Sequence, residues 1–187
     1  MKHIKLRRLI FLALCCDLGL FTKRLIAPAA NLLTDSLHIP GGISTSFSLM
    51  FLVIAAVLTP GFGCGTLMGA VQSLIALSLG MVGSMGALSP VGYIVPGFVI
   101  DCVVLFSRKA RLGDEMTMLA AGMLSAASAV LVANGIVFHL RGLVLLLYLA
   151  TALTSGALCG VLGGSLVRRL RPVLCGGNRK EENHETE

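Results

Sequence analysis

Charge is scarce in this chain. Only 13% of its 187 residues are Asp, Glu, Lys or Arg, against about 25% in a soluble domain. Catalytic signatures are missing as well. There is no H-E-x-x-H helix for zinc and no Walker loop for phosphate. Gly83-Ser84-Met85-Gly86 is not the Gly-x-Ser-Gly of an intramembrane serine protease. The chain is therefore expected not to be an enzyme, and no metal or cofactor is expected. If it moves a solute uphill, the energy must come from an ion gradient or another subunit. The six cysteines (Cys15, Cys16, Cys64, Cys102, Cys159, Cys175) lack metal-ligand spacing and read as small buried thiols.

What fills the chain instead is apolar sequence. Apolar residues make up 56% and the mean hydropathy is +0.90. Six apolar stretches, at 9–33, 44–59, 65–82, 91–106, 116–138 and 143–167, approach the ~20 residues a helix needs to cross the hydrocarbon. The second and fourth are slightly short, which suits tight small-residue packing or local thinning. The fold class this predicts is an all-α integral membrane protein, a compact bundle of about six transmembrane helices. A single transmembrane domain over 1–170 would be followed by a polar tail, 171–187, solvated and disordered toward its end.

The basic residues orient the bundle. Lys2, Lys5, Arg7, Arg8, Arg108, Lys109, Arg111, Arg168, Arg169, Arg171, Arg179 and Lys180 fall on one set of gaps. Only Lys23, Arg24 and Arg141 fall on the other. By the positive-inside rule both termini are cytoplasmic. The net charge of +6 is thus explained at helix ends, and a nucleic-acid partner is not expected. In this topology every cysteine lies on the cytoplasmic half or face, so no disulfide framework is expected.

The first stretch has the basic start of a signal peptide. Asp17 interrupts its apolar run, however, and no small-x-small cleavage site follows, so it reads as a retained helix. It is expected to end or bend near Pro28, which cannot donate an i→i−4 hydrogen bond. The connection that follows, 30–42, is long and lies outside. It carries Asn31, Asp35 and His38 and ends in Pro40-Gly41-Gly42. It is either a lid over a pocket or a plain connector. The other turns are tight and rich in Gly and Pro, as at 59–63 and 83–90.

Small residues recur every four positions: Ala152, Gly156, Gly160 and Gly164 on the sixth helix, Ala121, Ser125, Ala129 and Ala133 on the fifth, and Gly65, Gly69 and Ser73 on the third. Such stripes let helix backbones approach closely in lipid. They serve packing within the bundle or docking of a partner protein. Asp17 and Asp101 are the two intramembrane carboxylates, and such residues are functional suspects by default. Asp101, two turns from Arg108, is alternatively an interfacial residue. Polar groups able to read a small molecule gather in the outer half: Gln72, Ser84, Ser89, Tyr93, Asn134, His139, Arg141 and Tyr148, with the loop residues Asn31, Asp35, His38, Gly41 and Gly42 above them. Interfacial anchoring, capping and interhelical bonding are the competing readings of each.

The size, the six helices, the inside termini, the long first outer loop and the missing ATPase motif resemble a known family. The local runs Gly61-Phe62-Gly63-Cys64-Gly65-Thr66-Leu67-Met68-Gly69, Leu119-Ala120-Ala121-Gly122-Met123-Leu124-Ser125 and Ser155-Gly156-Ala157-Leu158-Cys159-Gly160-Val161-Leu162-Gly163-Gly164 are similar to those of the substrate-binding S component of energy-coupling factor (ECF) vitamin transporters. The nearest subgroup is the thiamine and hydroxymethylpyrimidine type. The resemblance implies a multi-pass protein of a prokaryotic plasma membrane. Such a protein captures a vitamin or precursor at its outer face and docks on a transmembrane coupling subunit driven by two cytoplasmic ATPases. The family docks through small residues of the first helix, here Ala13, Asp17 and Gly19, and Asp17 departs from that pattern. Thiamine is a cation, whereas Lys23, Arg24, Arg141 and two histidines favour a neutral or anionic ligand. A non-transporting assembly or scaffold protein and a small ion-coupled carrier are the alternatives.

Overall fold

The computed structural model describes residues 6–37, 43–59, 61–80, 88–137 and 142–182. Among them it shows six α-helices and no strand. The helices are α1 (Leu6–Leu37), α2 (Ile43–Leu58), α3 (Cys64–Ser78), α4 (Ser89–Lys109), α5 (Asp114–Val130) and α6 (Leu143–Glu182), with a π-helical segment, Leu131–Val137, continuing α5. Three helical stretches are long and apolar enough to cross a membrane: Ser89–Lys109, Asp114–Gly135 and Leu143–Leu170. Thr45–Leu58 and Cys64–Ser78 are apolar but shorter.

The central element is α2, which touches every other helix. Five consecutive residues, Leu52, Val53, Ile54, Ala55 and Ala56, are each at most 1% exposed, so no side of the helix is left outside there. This accounts for its brevity. Sixteen residues rise about 24 Å, less than the ~30 Å of a hydrocarbon core, but a helix sheathed by other helices need not span by itself. The surrounding helices turn large apolar side chains outward: Leu14, Leu18 and Phe21 on α1, Leu67 and Leu74 on α3, Phe98 and Phe106 on α4, Leu158 and Val161 on α6.

Backbones meet closely at glycines. A Cβ on Gly122 of α5 would stand 2.6 Å from the Gly156 carbonyl oxygen of α6, and one on Gly160 would stand 2.8 Å from the Leu119 Cα. A Cβ on Gly97 of α4 would stand 2.5 Å from the Gly65 oxygen of α3. The small-residue positions of α6 and α3 are thus occupied within the bundle, which is the packing use of the stripes. Gly164 differs, since its nearest neighbour would be 3.7 Å away.

Two expectations are corrected at the ends of helices. The first helix does not end at Pro28 but runs through it to Leu37. Proline removes the bond to the Arg24 carbonyl and crowds that oxygen, which strains a helix without having to end it, and Ala29-Ala30 and Leu32-Leu33 are strong helix formers that carry it on. Asn31 and Asp35 therefore lie on a helix, not in a loop, and Lys23 and Arg24 fall near its middle rather than in an outer connection. At the other terminus, α6 continues to Glu182, so the expected tail is helical up to there. The loop positions His38, Gly41 and Gly42, and the candidates Ser84, His139 and Arg141, lie outside the described residues.

Candidate functional site

The polar groups of this bundle sort into those that hold helices together and those that do not. Asp101 belongs to the first kind. It is 3% exposed, and its carboxylate faces the first turn of α3. Oδ1 accepts from the Gly65 amide at 2.8 Å, and Oδ2 accepts from the Thr66 amide at 2.8 Å and the Thr66 hydroxyl at 2.6 Å. A helix N-terminus has orphan amides and a positive dipole end. Gly63, the residue before α3, has φ 94° and supplies no side-chain cap. A carboxylate from α4 takes that place.

Two turns on, Arg108 of α4 does the complementary thing to α2. Its Nη2 donates to the carbonyls of Ala56 at 3.3 Å, Val57 at 3.4 Å and Thr59 at 2.9 Å, which are acceptors left over at the end of a helix. One helix thus caps the C-terminus of α2 and the N-terminus of α3. The carboxylate that stood as a functional suspect thus accepts three hydrogen bonds from the start of α3. At the same end of the bundle Ser107 and Thr117 share a hydroxyl bond, and Arg168 pairs with Glu115 between α6 and α5.

A second polar group sits where α1, α2 and α3 meet. Gln72 is 1% exposed and its Nε2 donates to the Cys16 carbonyl at 3.3 Å. Gly19 leaves room for it: a Cβ there would lie 2.9 Å from Gln72 Nε2 and 3.3 Å from the Ser48 carbonyl oxygen. Gly19 is therefore turned toward α2 and α3. Ala13 and Asp17 remain exposed. Beside this contact the Ser48 hydroxyl is buried without a hydrogen-bond partner.

One helical turn from Gly19, Lys23 reaches across to α4. Its ammonium donates to the Tyr93 hydroxyl at 2.8 Å and stands 4.5 Å from the centre of that ring. One turn earlier on α4, the Ser89 hydroxyl is the second buried side-chain group without a partner among the described residues. Positions i and i+4 share a helix face, so Ser89 and Tyr93 lie on one side of α4, as do Gly19 and Lys23 on α1.

Asn134 lies in the π-helical segment and is 9% exposed. That segment touches both α4 and α6. Tyr148 of α6 is half-buried and packs against the hydrophobic core. Such π-helical turns interrupt the regular ladder and recur at functional sites. The structure thus brings Gln72 to Gly19 and Tyr93 to Lys23, whereas Asn134 and Tyr148 lie on the helices of the other side. Ser48 and Lys23 were not among the candidates. Polar side chains four residues or more inside an apolar helix were the available signal, but only for a helix whose true length was known.

The geometry defines a helical bundle with three helical stretches long and apolar enough to cross a membrane and with several buried polar groups. Comparison with protein-family models, with curated proteins and with solved structures finds no match to this chain.

Proposed function

We propose that this chain is a membrane-embedded solute-binding subunit, the S component of an ECF-type importer, taking a vitamin-like molecule from the outer side. The observation that carries the reading is the pair of buried, unpartnered hydroxyls, Ser48 and Ser89, next to Gln72, Lys23 and Tyr93. A buried polar group without a partner costs about 1–3 kcal/mol, and a bound solute with hydrogen-bonding atoms would recover it. The sequence resemblance supplies the partners: a transmembrane coupling subunit and two cytoplasmic ATPases. The glycine contacts between α5 and α6, and between α3 and α4, weigh against the scaffold alternative, because those stripes are used internally.

Affinity purification from the native membrane tests the assembly, and thermal-shift screening of the purified chain against neutral, anionic and cationic vitamins tests the binding. Co-purification of an ATPase pair and stabilisation by one vitamin are expected. Stabilisation by none of them, with no ATPase recovered, overturns the reading.

A further inference from the structure

We propose that Lys23 of α1, held by the Tyr93 side chain of α4, anchors the anionic head of a ligand, a carboxylate or a phosphate. The inference rests on the solute-binding reading and adds the charge of the solute.

The position of Lys23 is the first ground. It lies 17 residues from the start of α1 and 14 from its end, as bounded by Leu6 and Leu37. At 1.5 Å per residue that is about 26 Å and 21 Å from the two ends. Its neighbours along the outer side of α1, Leu14, Leu18, Phe21 and Leu25, are exposed and apolar. A part-buried cation flanked by apolar side chains is normally paired with an anion or directed to polar surroundings.

Its partners are the second ground. The ammonium has three N–H donors. The contacts it makes are to the Tyr93 hydroxyl and ring face. Among the described residues no carboxylate pairs with it. Asp17 stands six positions earlier, about 120° round the helix, and is exposed. Asp101 is taken by Gly65 and Thr66. A ring face attracts a cation but neutralises none of its charge. Tyr93 therefore fixes the ammonium in place while leaving its charge and two of its three donors for another group.

The third ground is independent of the lysine. The Ser89 hydroxyl, one turn from Tyr93 on the same side of α4, is 4% exposed, and the Ser48 hydroxyl, near Gly19, is 2% exposed; neither has a hydrogen-bond partner. An uncompensated cation, with unsatisfied hydroxyls one turn from Tyr93 and beside Gly19, fits a ligand with one anionic group and further hydrogen-bonding atoms. Arg24, the next residue, is exposed on another face and provides the matched control.

The test uses the full-length chain in phosphatidylcholine nanodiscs at fixed ionic strength. Melting is followed with added biotin, pantothenate or inorganic phosphate, and with riboflavin and thiamine as neutral and cationic probes. In a separate arm a third of the lipid is replaced by phosphatidylglycerol. An anion at a hundredfold excess over its Kd is expected to raise Tm by roughly 5–10 °C. Lys23→Gln abolishes that rise, Tyr93→Phe reduces it, and Arg24→Gln keeps it. The soluble and lipid arms tell a free solute from a phospholipid head group. Because the readout is the ligand-induced shift, a lower starting Tm in a variant does not obscure it. A rise that survives Lys23→Gln, or no rise with any anion, overturns the inference. Stabilisation by riboflavin or thiamine alone overturns the anionic site while leaving the solute-binding reading intact, and no stabilisation by any probe removes both.

Discussion

Asp101→Ala should weaken the bundle through α3 rather than through any transport chemistry. The substitution leaves two amides and one hydroxyl without their acceptor, at contacts of 2.6 to 2.8 Å. The Gly65 amide is buried and loses its bond outright, while the Thr66 groups are part-buried and regain some solvation. Each unsatisfied buried donor costs about 1–3 kcal/mol, and release from burying a carboxylate offsets part of the sum. A net loss of about 3 kcal/mol is expected, or about 6–12 °C in Tm for a chain of this size. Asp101→Asn keeps one acceptor oxygen but turns an NH2 toward an amide, so it should lose at least half as much. Melting in detergent, followed by size-exclusion chromatography of the heated protein, measures both. Thr66→Val provides the control: its loss and that of Asp101→Ala should combine to less than their sum, because they break one network. A fall below 2 °C for Asp101→Ala, or strict additivity with Thr66→Val, refutes the capping role.

Other expectations rest on local geometry. Gly160→Ala should lower Tm by several degrees, because its Cβ would stand 2.8 Å from the Leu119 backbone, whereas Gly164→Ala, whose Cβ would meet its nearest neighbour at an ordinary contact distance of 3.7 Å, should be near neutral; paired melts compare them. Arg111 is exposed and sits at φ 53° just after α4, with the Leu112 amide bonded back to Ser107. Arg111→Gly should relieve that left-handed backbone and gain about 0.5–1 kcal/mol, read as a small rise in Tm. Reporter fusions after Arg111 should read cytoplasmic and fusions after Gly80 or Gly142 external; the reverse pattern would overturn the charge-derived orientation. Ser48→Ala should raise Tm of the ligand-free protein by about 2–4 °C and weaken binding of any solute that uses that hydroxyl.

Much of the architecture is legible in the sequence, for a specific reason. In a chain this poor in charge, each break in hydropathy marks a helix end, so six helices can be counted, and four-residue spacing of glycines marks where α5 meets α6. The stretch 44–59 is read as short, but the reason lies in three dimensions: α2 is enclosed on all sides. Pro28 misleads because a proline strains and can bend a helix without ending it when strong helix formers such as Ala and Leu follow. Lys23 and Arg24, counted with the outer basic residues, lie instead near the middle of α1, where Lys23 meets Tyr93. Asp101 is visible as a buried carboxylate, yet its partners lie 35 and 36 positions away at the end of another helix. No local pattern reveals such a pairing. Gln72, Tyr93 and Asn134 stand out because polar side chains are rare here, while which of them meet depends on helix rotation, to which hydropathy is blind.

The double cap made by α4 has a consequence for how the chain is assembled. When α2 and α3 emerge from the ribosome, the groups that finish their facing ends have not been made. Asp101 follows Gly65 by 36 residues, and Arg108 follows Thr59 by 49. At about 5–20 residues per second the hairpin of α2 and α3 waits roughly 2–10 seconds for its caps. Both helices are too short to span on their own, so during that interval the hairpin is the least secure part of the nascent protein. Arrival of α4 then completes both ends at once, with one negative and one positive side chain seven residues apart. A nascent chain halted between Ser78 and Asp101 should therefore remain exposed to protease and dependent on insertion factors, and one extended past Arg108 should not.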